Sequence, residues 1–209
     1  MGHKKLTKRS ITAIILLFFL LLLPLSACGA EREESRFDAF RESLTDAAVT
    51  VTAEVTGRDG EDVTAFTLRC TEADTGCEIE VLAPEEIAGV RAHIDAGAAD
   101  MQFEDVILPM PQSKDAVSPL MALPLVLQAA RTGHLDLVWQ EDSLVCQLIP
   151  DDNTAVRIYL NGDNTPTAAE IDVDGHTNVF CTITGWSTEK SDLHESNDTD
   201  LGGDQPGRD

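Results

Sequence analysis

Positive charge is what this chain most conspicuously lacks. Its 209 residues hold 15 Lys and Arg against 37 Asp and Glu, a formal net charge of −22. A chain this acidic is repelled by phosphate backbones and by anionic lipid surfaces, which argues against nucleic acid as a partner. Catalytic signatures are missing too. No Gly-x-Ser-x-Gly elbow, P-loop, dinucleotide fingerprint or His-Glu-x-x-His motif occurs. Beyond residue 28 the histidines are His93, His134, His176 and His194, scattered at positions that read as surface or loop. No internal repeat is visible. These absences predict a protein that performs no catalysis and needs no cofactor.

The few cations are informative by position. Lys4, Lys5, Lys8 and Arg9 precede Ile11 to Leu25, an uncharged stretch in which only Thr12 is polar. A basic start holds that end on the cytoplasmic side. The apolar run suits a signal-peptide h-region and is short for a membrane span. Leu25-Ser26-Ala27-Cys28 closes the run and resembles a lipobox, the site where bacterial lipoproteins are acylated on cysteine and cleaved. Small residues at 26 and 27 admit a peptidase, and Cys28 supplies the thiol. The resemblance implies that residues 1–27 are a lipoprotein signal peptide. Cys28 then becomes a lipidated, extracytoplasmic N-terminus anchored to the cell membrane. All 37 acids lie beyond it and four cations before it, so the remaining chain carries 11 − 37 = −26.

Four cysteines remain: Cys70, Cys77, Cys146 and Cys181. An even set in an exported protein suggests two disulfides, and three pairings are open. Cys70–Cys77 and Cys146–Cys181 are favoured, because each cysteine sits in or at the end of a strand-like segment. Cys70 and Cys77 also flank a turn-rich stretch. Zinc is the alternative, but the Cys-x6-Cys spacing is not that of a zinc knuckle and no His is close. Asp151-Asp152-Asn153 and Asp172-Val173-Asp174 cluster oxygens without approaching the EF-hand pattern. No metal site is expected.

Residues 28–34 read as an anchor and polar spacer, and 35–186 as one domain. Phe37, Phe40 and Leu44 mark one face of a helix from Ser35 to about Leu44. Val49 to Thr56 alternates and is β-branched, so it reads as a strand. Val63 to Cys70 and Cys77 to Leu82 form the next hairpin. Pro84 to Val90 offers a helix start, yet Val90 to Ile94 alternates better as a strand. Met101 to Leu108 reads as one further strand. Ser118-Pro119 then opens an apolar helix ending near Arg131, with Gly133 as its left-handed cap and Pro124 kinking or splitting it. Leu135 to Gln140, Leu144 to Ile149, Ala155 to Leu160, Ala168 to Val173 and Asn178 to Thr184 are short strands separated by turn chemistry. Residues 187–209 read as a disordered acidic tail. Tight turns between short strands mean an antiparallel meander. The expected fold is mainly β (α+β): a large curled antiparallel sheet of nine or ten strands, a half-barrel wrapped around the apolar helix.

This element order resembles the outer-membrane lipoprotein carrier and receptor family (LolA/LolB-like). The passages Glu80 to Val90 and Ser118 to Pro124 also resemble lipoproteins of spore-forming Gram-positive bacteria with that fold. The resemblance spans roughly Phe37 to Trp186. It implies a concave apolar face able to hold an acyl chain or a protein partner. The carriers are soluble whereas this chain reads as anchored, which favours a receptor or an anchored interaction module. On this reading Leu120, Met121, Leu123, Leu125, Val126 and Leu127 of the central helix line an apolar pocket. Phe103 and Trp139, with Val81, Ile87, Val90 and Met101, supply opposing walls. The expected function is an envelope lipoprotein that binds a lipid or acyl chain on its concave face. The alternative is a non-enzymatic module that binds or stabilises an envelope protein.

Overall fold

The computed structural model describes residues 27–73, 76–95, 98–103, 106–109 and 117–190. The basic start, the apolar run and the acidic tail beyond Lys190 lie outside the described residues. Helix α1 (Ala27–Ser43) leads into β1 (Ala47–Asp59), β2 (Asp62–Ala73), β3 (Gly76–Ala83), β4 (Arg91–Asp95), β5 (Ala98–Phe103) and β6 (Val106–Pro109). A short 3-10 turn (Pro119–Met121) and helix α2 (Ala122–Thr132) follow. Then come β7 (His134–Gln140), β8 (Leu144–Asp151), β9 (Thr154–Leu160), β10 (Pro166–Val173) and β11 (His176–Lys190).

The eleven strands form one curled antiparallel sheet in the order β6-β5-β4-β3-β2-β1-β11-β10-β9-β8-β7. Two meanders meet where β1 pairs with β11. The first runs outward to β6, and the second returns from β7. The chain therefore leaves the sheet at one margin and re-enters at the other. Its connecting segment must cross the sheet, and α2 lies on that crossing. Six register shifts, including those at Thr52/Ala53 and Ile171/Asp172, interrupt the ladders. Such irregularities bend strands and sharpen their twist, which curls a wide sheet.

The inner face is apolar by strict alternation. In β9, Thr154, Val156, Ile158 and Leu160 are buried while the residues between them are not. Val49, Val51, Ala53 and Val55 of β1 and Ala169, Ile171 and Val173 of β10 face the same core. Helix α2 fills it with Leu123, Val126, Leu127, Ala129 and Ala130. Gln128 and Thr132 are exposed, so the helix is covered on most sides and not on all. Phe37, Phe40 and Leu44 bring α1 into the same core, with the Phe40 ring 5.9 Å from that of Trp186. Gly57 of β1 is needed for contact, because a Cβ there would collide with Pro119.

Arginines join the helices to each other. Arg41, in the last turn of α1, donates to the carbonyls of Ala130 (2.8 Å) and Gly133 (2.6 Å) at the end of α2. Arg131, in the last turn of α2, donates to Leu44 and Ala47 (2.8 Å to the latter) in the turn that leaves α1. It also pairs with Glu72 at 2.9 Å. Carbonyls at a helix end have no intrahelical donor, so a guanidinium both satisfies them and complements the dipole. Arg36 bonds Asn164 Oδ1, Gln140 Oε1 and Asn161 O, tying α1 to the β9–β10 loop and the end of β7.

Several expectations change. Helix α1 begins before Ser35, so the described part of the expected spacer is helical. The single strand from Met101 to Leu108 is two strands, β5 and β6, paired as a hairpin. Strand β11 runs to Lys190, paired with Ala47, so residues 187–190 belong to the sheet and not to a tail. Pro124 does not split α2, which runs through it from Ala122 to Thr132. It sits in the first turn of α2, where an N–H would have no intrahelical partner, and the change from 3-10 to α falls ahead of it. Ser118 makes no side-chain cap, and Gly133 is extended (φ −62°) instead of left-handed.

The expected disulfides are not formed, and all four cysteines are buried free thiols. A Cys146–Cys181 bond is excluded by register. Cys146 pairs with Ile158, Ile158 with Ala169 and Ala169 with Cys181. Three strand spacings, roughly 14 Å at about 4.8 Å each, exceed the reach of a disulfide. These two thiols act as small core hydrophobes, and burial pushes each up to about 12. Cys70 and Cys77 are diagonal neighbours on β2 and β3, with their sulfurs 2.9 Å apart. The hydrogen bond shared with Cys77 and then burial hold the Cys70 thiol far above its ordinary value.

The arginine caps make a measurable stability claim. Arg131→Ala strips donors from the Leu44 and Ala47 carbonyls and from Glu72, and should cost about 2–3 kcal/mol in urea unfolding. A loss below about 0.5 kcal/mol, the range of ordinary surface substitutions, would show that the caps are not structural.

Candidate functional site

The sheet register decides which apolar side chains remain available. Directly opposed residues in an antiparallel pair lie on one face. Ile79 of β3 opposes Ala92 of β4, Ala92 opposes Met101 of β5, and Met101 opposes Leu108 of β6. Ile79 and Ala92 belong to the core, so this row runs along the inner face from covered to open. Phe103 and Val106 are opposed in the next row on the same face. Exposure rises outward: Ala92 is 5% exposed, Phe103 44% and Val106 56%. Met101, Phe103, Val106 and Leu108 thus form an apolar shelf continuous with the core.

Its openness follows from where the helices sit. Among the described residues, α1 packs on β7, and α2 on β2 and β8–β11. The 3-10 turn at Pro119 rests on β1 and β2. None of these larger contacts reaches β4, β5 or β6. Strand β6 is also a sheet margin, and all four of its side chains are exposed. On the outer face Ile107 is 63% exposed, opposite Gln102. The sequence here is acidic, since Asp95, Asp100, Glu104 and Asp105 are present and no Lys, Arg or His lies between 95 and 109.

The structure disperses the residues expected to line a pocket. Leu123, Val126 and Leu127 are 3% exposed or less and fill the core. They do not line an accessible wall. Leu120, Met121 and Leu125 are half-buried against that core, as are Ile87 and Val90. Val81 is wholly within it. Trp139 lies on β7, at the margin opposite β6, where its indole N–H donates to Glu141 Oε1 at 2.9 Å. Phe103 and Met101 alone fall on the open shelf. Val106 and Leu108 went unassigned because β5 and β6 read as one strand. The available signal was Glu104-Asp105, two acids interrupting an apolar run, which is hairpin spacing.

The polar clusters are structural. Arg157 on β9 pairs with Glu170 (3.0 Å) and Asp172 (2.5 Å) on β10, and Tyr159 donates to Glu170 Oε1. Burial and then that bond raise the Tyr159 phenol. Thr177 donates to the second oxygen of Asp172, so this carboxylate is fully engaged. A shallow depression of about 450 Å³ beside it includes Asp152, Asn153 and Asp174. Among the described residues no group of His, Cys, Asp and Glu is arranged to hold a metal ion. His93, His134 and His176 are exposed. No described helix is long and apolar enough to cross a membrane. Cys28 lies in the first turn of α1.

No protein-family model matches the chain, and no curated protein matches it. Among solved structures it is similar to a LolA superfamily protein from Nitrosomonas europaea, at 11% identity over 75% of this chain and 94% of that one, with TM-score 0.43. A putative outer membrane lipoprotein-sorting protein domain from Vibrio parahaemolyticus is 11% identical over 79% of this chain and 95% of that one, with TM-score 0.40. The Mycobacterium tuberculosis lipoprotein LppX is 11% identical over 74% and 93%, with TM-score 0.37.

Proposed function

We propose that this chain is a cell-envelope lipoprotein, anchored through Cys28, that holds a lipid or acyl chain on the open end of its concave face. The supporting observation is the shelf of Met101, Phe103, Val106 and Leu108, apolar and exposed where the remaining inner face is covered by α1 and α2. Exposed contiguous apolar surface marks interaction sites. An extended acyl chain suits a shelf that already grades into a core. The proposed role is binding, in keeping with a shelf built of apolar side chains alone. The proposed anchor on Cys28 is a stable one, because a mature lipoprotein carries at least two acyl chains on its cysteine, and two hold where one does not.

A second reading, a module that binds an envelope protein, has its own observation. Ile107 is apolar and exposed on the outer face, where a guest on the shelf would not reach it.

Binding of a fluorescent fatty acid tests the first reading. Phe103→Asp should weaken it about tenfold or more, the loss of one buried aromatic contact, with the unfolding midpoint unchanged. Unchanged affinity would contradict the shelf. Leu127 is unsuitable for this purpose, because a fully buried leucine replaced by Trp overpacks the core. The anchor is tested separately: Cys28→Ser should release the chain from the membrane fraction or leave it unprocessed, and normal processing with full membrane retention would overturn it.

A further inference from the structure

We infer that strand β6 is a docking edge for a partner's extended, basic segment, which adds to the sheet as a twelfth strand. The inference rests on the protein-binding reading and names the partner's chemistry. An edge strand presents a row of unpaired N–H and C=O groups, and proteins blunt such edges with short strands, prolines, lysines, inward charges, bulges or covering elements. The two margins of this sheet differ in that respect. Strand β7 carries Asp136, a register shift between Leu135 and Leu137, and α1 packed against it. Strand β6 reads Val106-Ile107-Leu108-Pro109, with no charge, no shift against β5 and every side chain exposed. Its length of four residues and Pro109 at its end limit pairing to the Val106–Leu108 stretch.

The apolar side chains of β6 lie on both faces, Val106 and Leu108 inside and Ile107 outside. That suits a strand, whose own side chains alternate and cover both faces at once, better than a ligand lying on one side. Charge selects the occupant. The stretch from Asp95 to Pro109 carries Asp95, Asp100, Glu104 and Asp105 and no cation, in a chain of net charge −22. A second copy would set acid against acid. A segment of alternating apolar residues flanked by lysine or arginine meets complementary charge.

Two synthetic peptides test this, Lys-Val-Thr-Val-Thr-Val-Lys and the same sequence with Glu at both ends, titrated into the full chain in detergent by anisotropy. The basic peptide should bind at least tenfold tighter than the acidic one at low salt, and the gap should narrow at about 0.5 M salt. Its binding should slow amide exchange in residues 106–108. Ile107→Lys, on a side chain 63% exposed and so tolerated by folding, should abolish binding, while Phe103→Asp retains it. Equal binding of both peptides would overturn the basic partner and leave the protein-binding reading intact. No binding by either would overturn strand addition itself. Concentration-dependent dimerisation of the wild-type chain, lost in Ile107→Lys, would reassign the edge to a second copy and overturn the inference.

Discussion

Two arginines set the geometry on which the molecule depends. Arg41 of α1 closes the end of α2, and Arg131 at that same end binds the turn after α1 and the start of β1, so each helix end is tied to the other's neighbourhood. Helix α2, with 11 residues, is too short to be stable alone in water, and packing must hold it. The topology requires something of this kind. Chain that leaves the sheet at β6 returns at β7, and the described part of that connection lies on β1, β2 and β8–β11. The crossing segment becomes core only if it is fastened there, and the reciprocal bonds fasten it over the β7–β11 half.

The apolar end of the sheet follows from that placement. With α2 on β2 and β8–β11 and the 3-10 turn on β1 and β2, no comparable element among the described residues covers β4–β6. Exposed apolar surface is costly in a monomer, and a hydrophobic edge invites unwanted pairing. A strongly acidic chain is protected against self-association by its charge, which lets such a surface persist in the free protein. The two proposed occupants use different features of it: an acyl chain the inner shelf, a strand the margin and both faces.

The architecture was legible because its signals are periodic. Phe37, Phe40 and Leu44 at helical spacing, and the β-branched alternation of Val49 to Thr56, marked α1 and β1 correctly. Turn residues at Asp142, Asp152, Gly162 and Gly175 separated β7 through β11. The site was less legible, since a leucine filling a core and one lining a cleft have the same period. Leu123, Val126 and Leu127 read as pocket walls and are core. Val106 and Leu108 read as the tail of one strand, because the run from Met101 to Leu108 is apolar enough to hide the break between β5 and β6. The disulfide expectation for Cys146 and Cys181 failed for a topological reason. Strand order is a long-range property, and two intervening strands separate these cysteines. The arginine caps join residues about ninety apart, and local spacing contains no sign of them beyond the placement of Arg131 near a helix end.

The account's central claim is that α2 is a fastened core element and that a guest enters at β4–β6. Amide hydrogen exchange, followed with and without a bound fatty acid, tests this most directly. The account predicts that α2 is strongly protected in the free protein and unchanged by the ligand, while residues 91–109 gain protection. Weak protection of α2 that rises on binding, with 91–109 unaffected, would show a helix that moves aside for its guest and would contradict the account.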